Sequence, residues 1–394
     1  MSRVGVVVAC LVSFGLIVSA PLHGRIVTPA QALDAPTEAD GWQTAAPSAA
    51  GLDGAALLRM TEAIRRGDWG HVHAVLIEHG GRLAYEAYFP GPDQKRGQDI
   101  GTVAFTAETL HDVRSVSKTV TSTLVGIALA RGEIASVRQR IASLLPDRAQ
   151  ALAGDKARIT LEQVLAMSTG LDWDESAPYS DPTNDERRMG ASDDPVGFVL
   201  GRALVHEPGS TWNYSGGATQ VLAAILEHVT GRDLAGYATE RLFAPLGISA
   251  TEWLGDLAGT PSAASGLRLR ARDVAKIGSL FLHQGRWNGR QVVPPAWVAT
   301  ALDAHIENPD PGSPPFVLRA AYGYQWWINT FQTALGPQDV MAAVGNGGQR
   351  IFVVPALDLV VTLLGGDYND PRRFWTPEQL LIQQIIPTVQ AHSE

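Results

Sequence analysis

A serine and a lysine stand three residues apart in the segment Asp112-Val-Arg-Ser115-Val-Ser-Lys118-Thr-Val-Thr. Positions i and i+3 share a helix face, so the amine of Lys118 can reach the hydroxyl of Ser115. A neutral lysine in this position can take the serine proton and create a nucleophile. Since the neighbours of Lys118 are apolar or hydroxylic, we expect burial to lower its pKa. The same spacing also fits an ordinary helix start with a solvated lysine, and alone it does not separate the two interpretations.

Further motifs follow this pair in order along the chain. They are Leu165-Ala-Met-Ser-Thr-Gly170, Glu207-Pro-Gly-Ser-Thr-Trp-Asn-Tyr214-Ser-Gly216, Arg272-Asp-Val-Ala-Lys-Ile-Gly278 and Gly345-Asn-Gly-Gly-Gln-Arg-Ile-Phe-Val-Val-Pro355. With these motifs the chain resembles the serine β-lactamase and penicillin-binding protein superfamily. It is most similar to the class C-type branch, which holds esterases and 6-aminohexanoate-dimer hydrolases, and the resemblance spans roughly residues 52 to 386.

The resemblance implies a role for each of the matching residues. Ser115 is then the acylating nucleophile, Lys118 its proton partner and Tyr214 the group that passes a proton to the leaving group. The oxyanion hole would combine the backbone N–H groups of Ser115 and Gln349. The alternative for Tyr214 is a buried structural tyrosine. The resemblance implies catalysis without a cofactor or metal.

Two departures from the family pattern concern the substrate. The third residue of the family's Tyr-x-Asn motif is Gly216, and its Lys-Thr-Gly motif is replaced by Asn346-Gly347-Gly348, which we assign to substrate binding. The lysine that attracts a substrate carboxylate in the family is therefore absent. No glutamate of the kind that activates the deacylating water in class A enzymes is evident either. These changes favour a small neutral ester or amide. The alternatives are a β-lactamase or D-alanyl-D-alanine carboxypeptidase, and a non-catalytic penicillin-recognising sensor.

Aromatic residues are candidates for the substrate pocket. Trp327, with Trp212 and Trp326, either lines an apolar acyl pocket or belongs to the core. Tyr179 lies in the acidic segment 173–188, which is either a lid that contacts substrate or a solvated loop.

Composition excludes several other classes of protein. The net charge of −9 disfavours a nucleic-acid partner. The single cysteine, Cys10, lies in the N-terminal apolar run, which excludes thiolate metal sites and cysteine nucleophiles elsewhere. Neither Gly-x-Ser-x-Gly nor His-Glu-x-x-His occurs, so an α/β-hydrolase and a zincin are disfavoured. His71 and His73 fit one face of a strand better than a metal pair.

The periodicity predicts an α/β (α+β) fold in which strands lie at both ends of the chain and helices lie between them. One antiparallel sheet built from both termini, flanked by helices and with an inserted all-α domain, satisfies this order. We expect the sheet domain at 52–114 and 318–394 and the inserted domain at 115–317. Predicted strands span 71–78, 83–89, 322–328, 341–344, 350–354 and 359–364, and predicted helices span 51–66, 115–131, 161–168, 194–204, 219–230, 234–242, 271–283 and 377–386.

The N-terminus predicts export to the periplasm or the extracellular space. Arg3 precedes an apolar run from Val4 to Leu22, and Ala30-Gln31-Ala32 fits a cleavage site, so we assign residues 1–32 to a signal peptide. An uncleaved anchor is the alternative, and only then would a membrane be a partner. Residues 33–51 are expected to form a flexible lead-in.

Overall fold

The computed structural model describes residues 40–255, 259–307 and 313–390. The predicted signal peptide lies outside these ranges. The central feature is an eight-stranded sheet in which all neighbours are antiparallel. In spatial order its strands are Ile306–Glu307, Val317–Tyr322, Trp327–Thr333, Gly336–Gly345, Gln349–Val354, Leu359–Gly365, Val72–His79 and Arg82–Tyr88. Within the described ranges, no helix is both long and apolar enough to span a membrane.

Both faces of the sheet are covered by helices. Alternate residues of Val72–His79 show this, because Val75 and Ile77 join one apolar cluster whereas Ala74 and Leu76 join another. Helix Gly54–Arg65 and the C-terminal helical segment, Thr376–Leu380 continued by Leu381–Ile385, cover the first face. Helix Ala271–Leu282 covers the second face. The predicted fold class, with one sheet built from both ends of the chain, is confirmed.

The middle of the chain is mostly helical. Helix Val116–Ala130 packs against helix Gly216–Thr230 and also contacts the sheet, so it links the two parts. The other α-helices of this region are Ile141–Leu144, Leu161–Leu165, Asp185–Gly190, Pro195–Leu200, Leu234–Ala238 and Pro295–Ala301. Short strands accompany them: Leu110–Asp112, Leu267–Arg270 and Glu252–Trp253 form one sheet, and hairpins join Gly91–Lys95 to Gln98–Val103 and Arg286–Trp287 to Arg290–Gln291.

Three details differ from the sequence-based expectations. The described part of the expected lead-in contributes to the core, since Trp42 is buried against Trp287 at a ring-centroid distance of 4.8 Å. The expected strand 322–328 is interrupted, because Gln325 has a φ of +65° and no strand continues through it. Helix Ala271–Leu282, expected in the inserted domain, packs on the sheet.

Candidate active site

Ser115 lies where a short strand turns into a helix. Strand Leu110–Asp112 ends three residues before it, and helix Val116–Ala130 begins immediately after it. Between them Arg114 has a φ of +50°, a conformation that non-glycine residues adopt rarely and that often occurs at functional sites. The hydroxyl of Ser117 fixes this turn, because it donates to the carbonyl of Arg114 and accepts from the N–H of Leu267.

The hydroxyl-rich sequence after Lys118 fixes the helix within the protein. Thr119 donates to the carbonyl of Gln325 at 2.8 Å, and Ser122 donates to the carbonyl of Tyr324 at 2.8 Å. The side chain of Gln325 continues this network, accepting from Thr219 at 2.8 Å and donating to the carbonyl of Leu165 at 3.1 Å. These buried bonds hold the Ser115 helix, its partner helix and the sheet in one arrangement.

Lys118 is fully buried and its amine contacts three acceptors. Nζ lies 3.0 Å from Ser115 Oγ, 3.1 Å from the carbonyl oxygen of Ala264 and 3.4 Å from Oε2 of Glu186. An ammonium has three N–H donors, so this set of acceptors matches the charged form of the lysine. The predicted proximity of Ser115 and Lys118 is therefore present.

The pKa of Lys118 differs in direction from the sequence-based expectation. Burial is the strongest influence and lowers it, but the electrostatic influences of Glu186, Tyr214 and Glu175 raise it above its usual value. The expected lowering is wrong, because the sequence around Lys118 gives no indication of these acidic neighbours. In the resting site Lys118 carries its proton.

Two glutamates that lie apart in sequence meet beside this lysine. Burial raises the pKa of Glu175 to about 8, and the charge of Glu186 adds to this effect. Burial also acts to raise the pKa of Glu186, but Lys118 and hydrogen bonds from its neighbours lower it overall. Glu175 is consequently protonated near neutral pH and donates to the Glu186 carboxylate, which also accepts from Ser265 at 2.5 Å.

Glu175 has further hydrogen-bond partners around its carboxyl group. The indole N–H of Trp173 donates to it at 2.5 Å, and the backbone N–H of Gly216 donates to the same oxygen. Tyr179 donates its hydroxyl to the other oxygen at 3.1 Å. Tyr179 therefore lies beside the glutamate pair, within the segment that the sequence offered as a lid or a solvated loop.

Tyr214 lies next to both members of the predicted nucleophilic pair. The ammonium of Lys118 is 4.9 Å from the centre of its ring. Burial raises the pKa of Tyr214, while the charge of Lys118 and a hydrogen bond with Ser115 act in the opposite direction without cancelling it. The phenol is neutral near pH 7, and Ser115, Lys118 and Tyr214 form one cluster.

The segment predicted to replace Lys-Thr-Gly is a hairpin turn. Asn346, Gly347 and Gly348 connect strand Gly336–Gly345 to strand Gln349–Val354. The amide of Asn346 hydrogen-bonds at 2.9 Å with both the side chain and the backbone of Asn369.

The hairpin begins directly against the turn that leads to Ser115. A Cβ placed on Gly345 would lie 2.5 Å from the carbonyl oxygen of Val113. Gln349 is fully buried, with its amide bonded to Gly365. The assignment of its N–H to an oxyanion hole stays a prediction.

Aromatic side chains line one side of the cluster. The ring of Trp327 is 6.3 Å from that of Tyr214 and 5.6 Å from that of Trp212. Both tryptophans are partly exposed, whereas Trp326 is fully buried and packs on Phe281 at 4.5 Å. The sequence alone did not separate the pocket tryptophans from the core tryptophans. In the structure Trp326 belongs to the core, and Trp212 and Trp327 border the site.

A separate buried cluster contains His73, Asp93 and His111, whose potential ligand atoms lie within 4.8 Å of one another. His73 Nδ1 is 2.8 Å from His111 Nε2, which is a hydrogen-bond distance. His111 Nδ1 bonds to the carbonyl of Asp112 at 2.9 Å, and His71 turns instead to Asp367 at 2.7 Å. The two histidines of the His-Val-His stretch therefore have different partners.

Glu175 and Glu186 are the neighbours of Lys118 that sequence reasoning missed. Both belong to the acidic segment 173–188, whose acidic residues look alike in sequence although Asp174 is exposed and Glu186 is buried. One clue was available in Gly216, since a glycine in the third motif position leaves room for a side chain from elsewhere.

Comparison with known proteins supports the same interpretation. The family model described as Beta-lactamase matches residues 62–380. The chain is 26% identical to the 6-aminohexanoate-dimer hydrolase of Paenarthrobacter ureafaciens over 287 residues, which are 69% of this chain and 70% of that protein.

Solved structures agree with the expected fold. EstCE1, a hydrolase with promiscuous acyltransferase activity, is 19% identical with a TM-score of 0.65, over 82% of this chain and 98% of its own. A class C β-lactamase from Rhodobacter sphaeroides is 19% identical with a TM-score of 0.59, over 85% of this chain and 100% of its own. The β-lactamase/transpeptidase-like fold implied by the motifs is confirmed.

Proposed function

Because the chain belongs to the Beta-lactamase family and is a serine hydrolase, we propose that it cleaves a small neutral ester or amide through an acyl-enzyme on Ser115. The observation that carries this proposal is the contact of 3.0 Å between Lys118 Nζ and Ser115 Oγ, with Tyr214 beside both. A lysine held against a serine places a proton acceptor where it can activate the hydroxyl for the formation of an acyl-enzyme.

The reaction begins with the attack of Ser115 Oγ on the substrate carbonyl. The Lys118–Tyr214 pair takes the serine proton, and the backbone N–H groups of Ser115 and Gln349 stabilise the negative charge on the carbonyl oxygen. Tyr214 then passes a proton to the departing alkoxide or amine. Water attacks the acyl-enzyme, releases the acid and returns the proton to Ser115.

The protonation of the resting site gives this mechanism a pH dependence. Lys118 is an ammonium and Tyr214 is a neutral phenol, so their pair must lose a proton before it can accept one from Ser115. The fraction of enzyme whose Lys118–Tyr214 pair can accept a proton therefore grows as the pH rises. We expect kcat/KM to increase from acid into the alkaline range in one transition, whose apparent pKa belongs to the coupled pair.

The preference for a neutral substrate is supported by the charges around Ser115. Asn346 stands where the family has a lysine, and its amide bonds with Asn369. Arg350, the nearest cation along that strand, is buried and ion-paired with Glu378 at 2.6 Å. The Glu186 carboxylate is paired with Lys118 at 3.4 Å and offsets its positive charge, so the lysine attracts a substrate carboxylate less. The partly exposed rings of Trp212 and Trp327 support an apolar acyl group.

We further propose that the protein acts after export, in the periplasm or outside the cell, without nucleic acid, metal or cofactor as a partner. The support for export is the sequence of residues 1–32 alone.

A substrate panel on one preparation tests the specificity. We expect p-nitrophenyl esters of short neutral acids to have a higher kcat/KM than nitrocefin, a D-alanyl-D-alanine peptide or a linear amide that carries a carboxylate. A preference for nitrocefin or the peptide would contradict the proposal. A single burst of p-nitrophenol without turnover would instead identify a sensor that acylates and stops.

A further inference from the structure

The space beside Gly216 is filled by the carboxylate of Glu186. A Cβ placed on Gly216 would lie 2.4 Å from Glu186 Oε2 and 2.9 Å from its carboxyl carbon. No side chain fits there while the carboxylate keeps its position. This is the third position of the family's Tyr-x-Asn motif, and a carboxylate from helix Asp185–Gly190 lies where a side chain on Gly216 would begin.

The same oxygen of Glu186 is an acceptor for Lys118. Oε2 lies 3.4 Å from Nζ, and Oε1 is fixed by Ser265 at 2.5 Å. Helix Asp185–Gly190 is anchored in turn, because Asn184 caps its first turn and Asp185 pairs with Arg202 at 2.9 Å. The carboxylate is therefore held by elements on two sides and cannot leave Lys118 without breaking these bonds.

We propose that Glu186 is a positioning residue that holds the Lys118 ammonium against Ser115 and restrains the release of its proton, and that Gly216 is a glycine so that this carboxylate can reach the lysine. The role in catalysis rests on the proposed function, whereas the effect on the lysine does not. Glu175 lies behind Glu186 and is protonated near neutral pH. It therefore adds no second negative charge beside Lys118 in that range.

The charged and titratable groups around Lys118 come from three elements. Glu186 lies on helix Asp185–Gly190, Glu175 on the segment before that helix, and Tyr214 on the loop before helix Gly216–Thr230. Segment 263–265 faces the site with the carbonyl of Ala264 and the hydroxyl of Ser265. Of these groups, Glu186 is the one in direct ionic contact with Lys118.

The test measures the lysine directly. The chain has only four lysines, Lys95, Lys118, Lys156 and Lys276, so NMR of protein labelled with [ε-¹³C]lysine resolves each one, and Lys118→Arg identifies the signal of Lys118. In Glu186→Gln we expect the titration midpoint of Lys118 to fall by about 1–3 pH units relative to wild type, since an opposite charge at close range favours the ammonium.

Gly216→Ala is the second variant, because its methyl group displaces the carboxylate while Glu186 stays in the chain. We expect a shift in the same direction, and no additional shift when both changes are combined. Glu207→Gln, at an exposed glutamate, and Gly190→Ala, where a Cβ meets no atom within 4 Å, are the matched controls that leave the midpoint unchanged.

The pH dependence of ester hydrolysis gives the catalytic readout. The acid limb of kcat/KM moves to lower pH in Glu186→Gln and Gly216→Ala, which a merely structural residue would not cause. An unchanged or raised Lys118 midpoint in Glu186→Gln overturns the proposal even if wild type hydrolyses esters. If the Lys118 midpoint falls in Glu186→Gln but the wild-type protein hydrolyses no ester, the effect of Glu186 on Lys118 is supported and the proposed function is refuted.

Discussion

At the scale of single residues, the site combines a serine and a lysine that lie three positions apart in sequence with two acids that come from a distant segment. Ser115 and Lys118 follow from helical spacing, and Tyr214 follows from its motif. The acids act on the same lysine, but Glu186 is 68 positions away from Lys118. Local sequence therefore predicts the closeness of Lys118 to Ser115 correctly and the direction of the Lys118 pKa shift wrongly, because the pKa depends on contacts made only in the folded chain.

The role of Lys118 as base predicts the behaviour of an arginine in its place. In Lys118→Arg the guanidinium keeps its charge throughout the accessible pH range and cannot take a proton from Ser115. We expect kcat/KM for a neutral ester to fall about 10²–10⁴-fold, the usual contribution of a general base. The pH–rate profile of the variant and of Lys95→Arg, a control at a half-exposed lysine, checks this. Activity close to wild type in Lys118→Arg would refute a role for the lysine as base.

At the scale of elements, the positions of the main helices and strands were predictable, and their ends and interruptions were less so. The mostly apolar and aromatic residues from Tyr322 to Ile328 predict one continuous strand. In the structure Gln325 leaves the strand conformation and uses its side chain and backbone to bond the helices around the site. Such a turn is fixed by hydrogen bonds to distant helices, which no local pattern reveals.

The close packing of helix Val116–Ala130 gives a prediction at this scale. A Cβ placed on Gly126 would lie 2.2 Å from the ring of Trp297, so Gly126→Ala overpacks the contact. We expect the variant to lose about 1–3 kcal/mol of unfolding free energy, although alanine is the better helix former. Urea unfolding of Gly126→Ala and of Gly190→Ala measures the difference. A Gly126→Ala protein as stable as wild type would show that the helix and Trp297 separate easily.

At the scale of the whole molecule, the sheet joins segments from both ends of the chain. Strand Val72–His79 pairs with Leu359–Gly365, so residues 80–358 lie between two adjacent strands. The sequence indicated that the sheet would draw on both termini, since strand patterns occur there and helical patterns between them. The order of the strands was not predictable in this way, because pairing over such distances is decided by the packing of both faces at once.

The domain assignment illustrates the same limit. Helix Ala271–Leu282 has the amphipathic spacing of the helices around it, yet it packs on the sheet rather than with them. Residues 40–51 have no periodic pattern, but Trp42 is buried in the core. In both cases the partner surface lies far away in sequence, and composition alone does not identify it.

The central claim is that Ser115 is the nucleophile, and labelling of this residue tests it most directly. We expect a fluorophosphonate probe to modify Ser115 alone, as identified by mass spectrometry of peptides, with hydrolysis of a short-chain p-nitrophenyl ester lost in parallel. Ser115→Ala should fold normally, take up no probe and lose activity by several orders of magnitude. Ser122→Ala, a buried serine on the same helix, should remain labelled and active. Labelling of a different serine, or a Ser115→Ala protein that keeps most of its esterase activity, would contradict the account.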